Sequence, residues 1–394
     1  MAEKAAKIVV LGKFLALVAV VVLLSLVSTG LWQAKPEKSE KSVPLVLGDS
    51  MTIGEFGRSN DLPNQVLKEA MQLQGEGDLE KRLDALNLSR DKITARIERA
   101  RALAAEYESK NWVKIPLKFA LWLAFLAIVF ILLRRARITP GLRKVLYAGA
   151  ILVFGVTLGA DPGPMGTIKD AIALYGEKRV IFPPRMIALT VFLLLVVAAN
   201  KFICSWGCQV GTLQDLIFRL NRNDRDTKGI LRQVRPPFGW SNAIRTIFFL
   251  LFTGAAFAWA TDLVEPIDPF KIYKPAVIGI GEGVFLGLIL VSSLFVYRPW
   301  CQFFCPFGLI GWLLEKVSLY KIAVNYETCI GCRACAKACP STVMGAILER
   351  DRTIPDCFAC GTCIEVCPTA SIRLAAGKRS RPPEGKFLPG SPGD

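Results

Sequence analysis

Two copies of one cysteine pattern near the C-terminus constrain this chain more than any other feature. They are Cys329-x2-Cys332-x2-Cys335-x3-Cys339-Pro340 and Cys357-x2-Cys360-x2-Cys363-x3-Cys367-Pro368. Three cysteines two residues apart wrap a tight loop around a four-iron cube, and the fourth stands just beyond, where proline stops a helix from running through the loop. Zinc ribbons use Cys-x2-Cys pairs, not runs of three closed by x3-Cys-Pro. Where two such runs occur together, the fourth cysteine of each ligates the other cluster. The expected ligand sets are therefore Cys329, Cys332, Cys335 and Cys367 for one 4Fe-4S cluster, and Cys357, Cys360, Cys363 and Cys339 for the second. A chain built this way carries electrons.

The remaining sequence says where. Hydrophobic residues make up 52% of 394 positions, and apolar runs recur at lengths near the roughly 17 to 25 residues that cross a bilayer. Six spans are expected: Val9–Trp32, Ile115–Leu133, Val145–Ala160, Met186–Ile203, Ala243–Ala260 and Gly279–Val296, the third of them short. The fold class read from this is an α-helical polytopic membrane protein with a small α+β two-cluster domain at its C-terminus. Its parts are a first span with a short N-terminal lead (1–33), a helical extracytoplasmic segment (34–114), a five-span core (115–320), the cluster domain (321–374) and a disordered tail rich in Lys, Arg, Pro and Gly (375–394).

Charge orients these parts. Segments 1–13, 134–144, 201–245 and 298–394 carry +2, +5, +5 and +4, together the whole net charge of +16, whereas 33–114 balances fourteen basic against fourteen acidic residues. Lys and Arg in short loops mark the cytoplasmic side, so both termini are expected there, in a bacterial inner membrane. The partition also argues against a nucleic-acid footprint, which would gather the basic residues on one binding face. All twelve cysteines fall on the cytoplasmic side or at cytoplasmic span ends, where disulfides do not form. The first apolar run is too long for a signal-peptide core and ends at Trp32, which reads as an uncleaved span.

The chain contains no histidine. It therefore cannot give His ligands to haem, to a Rieske centre or to zinc, and no haem is expected. ATP and dinucleotide loops are absent as well.

Four further cysteines expose an internal repeat. Cys204-Ser-Trp-Gly-Cys208-Gln-Val-Gly211-Thr-Leu213-Gln-Asp-Leu216 follows the fourth span, and Cys301-Gln-Phe-Phe-Cys305-Pro306-Phe-Gly308-Leu-Ile310-Gly-Trp-Leu313 follows the sixth. Spans three and four thus pair with five and six, related by an axis along the membrane normal. Cys204, Cys208, Cys301 and Cys305 read as a third metal or redox site, either a cluster or a soft ion such as Cu(I), or as redox-active thiols. The competing reading is buried thiols that only pack. Aromatic residues around them, Trp206, Trp300, Phe303, Phe304, Phe307 and Trp312, fit either an interfacial belt or a quinone pocket. Arg245, Glu282 and Arg298 lie near expected span ends, where long side chains reach water.

With both Cys-x3-Cys motifs and both C-terminal runs in hand, residues 140–373 resemble the membrane polyferredoxins of the NapH, NosR and CcoG group, most closely the NapH-like ferredoxin-type proteins. Gln209 departs from the group's Cys-x3-Cys-Pro, and no Ser-Gly-Ala-Thr flavinylation motif of the NosR kind is present. The resemblance implies electron relay between cytoplasmic 4Fe-4S clusters and the quinone pool or a partner redox complex. Its CcoG side implies instead a maturation factor that reduces a metal ion or another enzyme.

The extracytoplasmic segment offers Thr52-x-x-Glu55 as a capping box and Pro63 as a helix start. Apolar residues then recur from Leu79 to Tyr107 at close to a 3.5-residue period, which suggests a helical hairpin or a long helix leading into span two.

The cysteine runs make a direct prediction. In anaerobically purified protein Cys335→Ser should remove the iron of one cluster while zinc stays at background, measured by elemental analysis; stoichiometric zinc in the parent would refute the cluster assignment.

Overall fold

The computed structural model describes residues 2–31, 45–46, 51–73, 75, 77–86, 88–349 and 351–387. The chain opens with a 30-residue helix, α1 (Ala2–Leu31). The linker expected at 34–46 lies almost wholly outside the described residues.

A small module with its own apolar core follows. Helix α2 (Ile53–Ser59) starts at the expected capping box: Thr52 Oγ1 accepts from the Glu55 amide, and the Glu55 carboxylate accepts from the Thr52 amide. Helix α3 (Asn64–Met71) begins just after Pro63, which is its N-cap rather than its first or second helical residue. The periodic stretch from Leu79 is not one helix. Residues Gly77–Glu80 and Leu83–Leu86 form 3-10 turns, and the helix proper, α4 (Arg90–Ser109), begins at Ser89. Phe56, Leu67 and Ile97 are fully buried together with Ile53, Val66 and Ile93. Arg185 clamps this module to the membrane core through Glu106 at 3.0 Å.

The core comprises α5 (Lys114–Arg134), α6 (Pro140–Ala150), α7 (Pro164–Lys178), α8 (Pro183–Ala199), α9 (Phe202–Trp206), α10 (Gln209–Leu220), α11 (Phe238–Trp259), α12 (Ile280–Phe295), α13 (Pro299–Phe303) and α14 (Pro306–Leu314). Helix α6 starts five residues before the expected third span because Thr139 caps it and Pro140 occupies its first turn, and it continues as a π-helix over Ile151–Thr157. Four stretches are long and apolar enough to cross a membrane: Lys4–Gly30, Lys114–Arg134, Pro140–Thr157 and Phe238–Trp259. The apolar helices α8 and α12 are shorter, at 17 and 16 residues. This is a membrane protein.

The repeat is visible as architecture. Each copy runs through a long apolar helix, a five-residue helix and a half-length helix: α8, α9, α10 and then α12, α13, α14. The halves interlock crosswise, with α10 packed on α6 and α12, and α14 packed on α11 and α8.

The C-terminal domain pairs β1 (Tyr320–Val324) antiparallel with β2 (Ile372–Ala376), Ile322 opposite Leu374. Between them lie α15 (Ala334–Ala338), α16 (Val343–Glu349) and α17 (Thr362–Glu365). Residues 375–387 are not the disordered tail that composition suggested. Ala375 and Ala376 complete β2, Arg379 donates to the Ile322 carbonyl and Lys386 to that of Tyr326, and Phe387 is buried. The apolar anchor Phe387 and these two bonds hold what a count of Lys, Arg, Pro and Gly would set free. Residues 388–394 lie outside the described residues.

The module's core is separate from that of the membrane helices. Ile97→Ala should therefore destabilise it by about 2–5 kcal/mol, seen as faster limited proteolysis within 53–109 while the absorbance of the clusters is unchanged.

Candidate functional site

The two cysteine runs cross over within the cluster domain. Cys329, Cys332, Cys335 and Cys367 line one cavity, with Ile330, Pro368 and Phe387 completing its wall. Cys363 has Cys339, Cys360 and Cys357 among its neighbouring thiols, together with Cys335 of the first set. The fourth cysteine of each run thus stands with the first three of the other. Burial pushes the Cys335 and Cys357 thiols up to about 12. Cys360 is also buried, but the guanidinium groups of Arg219 and Arg143 outweigh that cost and hold it below its ordinary value. Since the thiolate is the ligand form, each set fits a four-iron cluster. Among the described residues no three His, Cys, Asp or Glu side chains converge as the ligands of a single ion would. A cube keeps its thiolates further apart than one ion does, so grouping without convergence is the arrangement it needs.

The second cluster's loop is seated on the membrane core. Arg143 of α6 donates to the Cys360 carbonyl at 3.0 Å, Trp206 of α9 to the Ala359 carbonyl at 3.2 Å, and Arg219 of α10 to Thr362 at 3.2 Å. Arg222 reaches the Ala338 carbonyl at 2.9 Å. Asp226 gathers Arg143, Arg219 and Arg222 behind this contact. Gly361 has φ +80°, and a side chain there would run into Leu133 of α5. The first cluster's loop points away, with Ile330 62% exposed.

At the centre of the docking face sits Phe358, between two cations. Lys201 Nζ lies 4.8 Å and Arg298 Cζ 4.7 Å from its ring centroid, within cation–π range. Each cation precedes the first cysteine of its repeat by three residues, so Lys201 and Arg298 are equivalent positions in the two halves. Both are fully buried. Arg298 donates to the Cys204 carbonyl at 2.6 Å and to Asp215 at 2.5 Å, and Tyr147 and Tyr297 complete the shell of that carboxylate at 3.0 and 2.8 Å. Lys201 donates to the Gly308 carbonyl at 2.8 Å and to Asp356 at 2.5 Å, and Arg245 joins both Asp356 and the Cys301 carbonyl. Burial raises the Asp356 carboxyl, yet Lys201 and Arg245 prevail and hold it below its usual range.

The repeat is broken at the counter-ions. The position equivalent to Asp215 in the second half is Trp312, whose indole donates to the Ile354 carbonyl. Arg298 therefore finds its carboxylate within the core, while Lys201 receives one from the cluster domain. Sequence reading placed Arg245 and Arg298 at solvated span ends, and they are instead buried. It missed Lys201 and Asp356 altogether. Extending the repeat three residues upstream would have revealed the Lys201/Arg298 pair. Glu282 does lie near a helix end, paired with Lys271.

Depth is the second correction. The Cys-x3-Cys motifs are not at span ends, because the chain turns back between the helices to reach them. Gln209, next to Cys208, donates to the Phe154 carbonyl and accepts from Tyr273 through its own, while α10 ends at the docking face by Arg219. Twelve residues of α10 at ~1.5 Å each give a helix about 18 Å long between Cys208 and the end that meets the docking face. Helix α14 repeats the path from Cys305 back to Glu315, which accepts from the Cys357 amide. A methyl on Gly211 would meet the Cys204 carbonyl at 2.4 Å, and one on Gly308 the Cys301 carbonyl at 2.7 Å. Only glycine lets each half-helix cross its cysteine loop this closely. The four thiols are 5 to 7% exposed, and Cys305 has the other three as its near neighbours.

Comparison with known proteins agrees. The family described as 4Fe-4S dicluster domain matches residues 321–368, and the one described as 4Fe-4S binding domain matches both repeats, at 181–226 and 279–324. Among relatives, YccM of Escherichia coli, whose name places it in electron transport, is 30% identical over 208 residues, half of this chain and 57% of its own length. The ferredoxin-type protein NapH of the same organism is 28% identical over 40% of the chain and 55% of its own length. The regulatory protein NosR of Pseudomonas aeruginosa is 26% identical over 54% of the chain and 32% of its own length. The chain thus spans little more than half the length of the first two. No solved structure matches it. The resemblance to the NapH and NosR group read from the motifs is borne out.

Asp356→Asn leaves Lys201 and Arg245 buried beside a neutral amide. Removing one partner of a buried pair costs about 3–5 kcal/mol, so the variant should melt at lower temperature in detergent, and its second cluster should bleach faster in air than the first.

Proposed function

We propose that this chain is a membrane-bound iron–sulfur protein that relays electrons between its 4Fe-4S clusters and the quinone pool or a partner redox complex. The observation that carries the reading is the seating of the second cluster's loop on the membrane core through Arg143, Trp206, Arg219 and the caged ring of Phe358. A cluster domain used only in solution has no need of such a socket. When bound, the clusters supply one-electron carriers. The protein's own residues fix the second cluster against the core and leave the first toward solvent, where the exposed Ile330 loop offers contact to a soluble partner.

In this reading α8 and α12 complete six spans, the chain lies in a bacterial inner membrane, and the cluster domain and both termini face the cytoplasm, as the basic loops favour. The short helices fit because each is prolonged by its return loop. A crevice lined by Phe238, Ser241, Tyr297, Gln302, Pro340 and Phe358 opens between the core and the cluster domain. It adjoins Cys339-Pro340 and, at about 20 Å³, admits a water molecule rather than a quinone ring.

The test is anaerobic. Clusters reduced in detergent-purified protein should be reoxidised by a quinone analogue, followed by absorbance and EPR, and Phe358→Ala should slow the exchange at least tenfold with both clusters retained. No exchange with quinone or quinol, but rapid reoxidation by Cu(II), would favour a maturation factor that delivers electrons to a metal ion.

A further inference from the structure

We infer that Cys204, Cys208, Cys301 and Cys305 together hold a third four-iron cluster, inside the membrane core and shared between the two halves of the repeat. Each half supplies only two thiols, too few for a cube, yet both halves match a 4Fe-4S binding family. The match is complete only when the halves are joined, and the fold joins them. The thiols are mutual neighbours that do not converge as ligands of one ion would, the same arrangement as the two C-terminal sets.

The surroundings are built for an anion. Cys208 and Cys305 are the N-caps of α10 and α14, so the positive ends of two half-helices meet at the thiols, as broken helices do around charged ligands in membranes. Cys305 Sγ already accepts from the Gly308 amide at 3.3 Å. The buried charges of the core are also unbalanced. Among the described residues around the quartet and the docked loop, Lys118, Arg143, Lys201, Arg219, Arg222, Arg245 and Arg298 face Asp215, Asp226, Asp356 and Glu315 as buried carboxylates, while Lys169 and Arg185, buried elsewhere in the core, pair with partly exposed ones of their own. The partly exposed Glu365 near Arg143 and Asp161 near Lys118 reduce the surplus from three to one. Uncompensated buried charge costs several kcal/mol per ion, and a four-thiolate cube is a dianion when oxidised. The second cluster lies by Arg143 and Arg219, whereas Arg298 donates to the Cys204 carbonyl, Arg245 to that of Cys301 and Lys201 to that of Gly308, on the loops that carry the quartet.

Two donors without partners belong to the cysteine loops or press on them. The buried indole nitrogen of Trp122 lies against Gly207, the residue before Cys208, and Trp300 precedes Cys301 in the chain, with neither N–H hydrogen-bonded among the described residues. Sulfide and thiolate sulfurs accept such bonds, which tune a cluster's potential.

The experiment counts iron. The full chain, reconstituted anaerobically with iron and sulfide in detergent, should bind about twelve irons rather than about eight. The Cys204→Ser, Cys208→Ser, Cys301→Ser, Cys305→Ser variant should lose about a third of the iron and sulfide and one EPR component, with the signals of the two C-terminal clusters kept as the control for folding. Should that variant not accumulate, the count on the unaltered chain decides alone. About eight irons, or eight irons with one copper per chain, overturns the inference. The result does not depend on quinone exchange, so either reading can fail without the other.

Discussion

The structure depends on placing charge where the surroundings are apolar. Seven cationic side chains are buried around the half-helices and the docked cluster domain, and each must meet an anion or a carbonyl to stay there. Asp215, Asp226 and Asp356 meet most of that demand, and the carbonyls of Cys204, Cys301, Gly308, Cys360, Ala338 and Gly159 take further donors. The same bonds fix the loops that carry the cysteines. Charge compensation and ligand positioning are one network, so the geometry of the thiols is set by guanidinium and ammonium groups that never touch a metal.

Much of this was legible in the sequence, for a reason that differs from part to part. The eight C-terminal cysteines were legible because a cube demands fixed spacing, and the repeat because Cys, Gly and apolar positions recur at one offset. The capping box at Thr52 and Glu55 was local and therefore visible. Depth was not local. The apolar runs show where helices lie but not that the chain doubles back after Ala199 and Phe295, because α9, α10, α13 and α14 are each too short to register as spans. Arg245 and Arg298 were assigned to water since an isolated arginine near a span end reaches it cheaply. Only the contact with Asp215 and Asp356, distant in sequence, reveals why they stay inside. The segment 375–387 misled for the opposite reason, since one buried Phe387 and two hydrogen bonds outweigh a flexible composition.

The far side of the core follows a looser version of the same rule. Lys169 holds Glu265 and Asp268, Lys271 holds Glu265 and Glu282, and Lys274 holds Asp161. Several of these carboxylates are exposed, and exposed pairs contribute little each. They fasten the loop 262–282 over α7. Lys118, Lys169 and Arg185 are buried on this side as well, held by the carbonyls of Gly159 and Pro162 and by partly exposed carboxylates.

The substitution of Trp312 for a second Asp215 has a consequence for how such a molecule can be put together. A core of two identical halves would present two identical sockets, and a single head could settle in either, rotated by half a turn. With one half self-neutralised and the other left lacking a carboxylate, the two orientations are no longer degenerate. Duplication creates the ambiguity and divergence at one position removes it, so the head finds a unique pose although the floor beneath it is nearly symmetric.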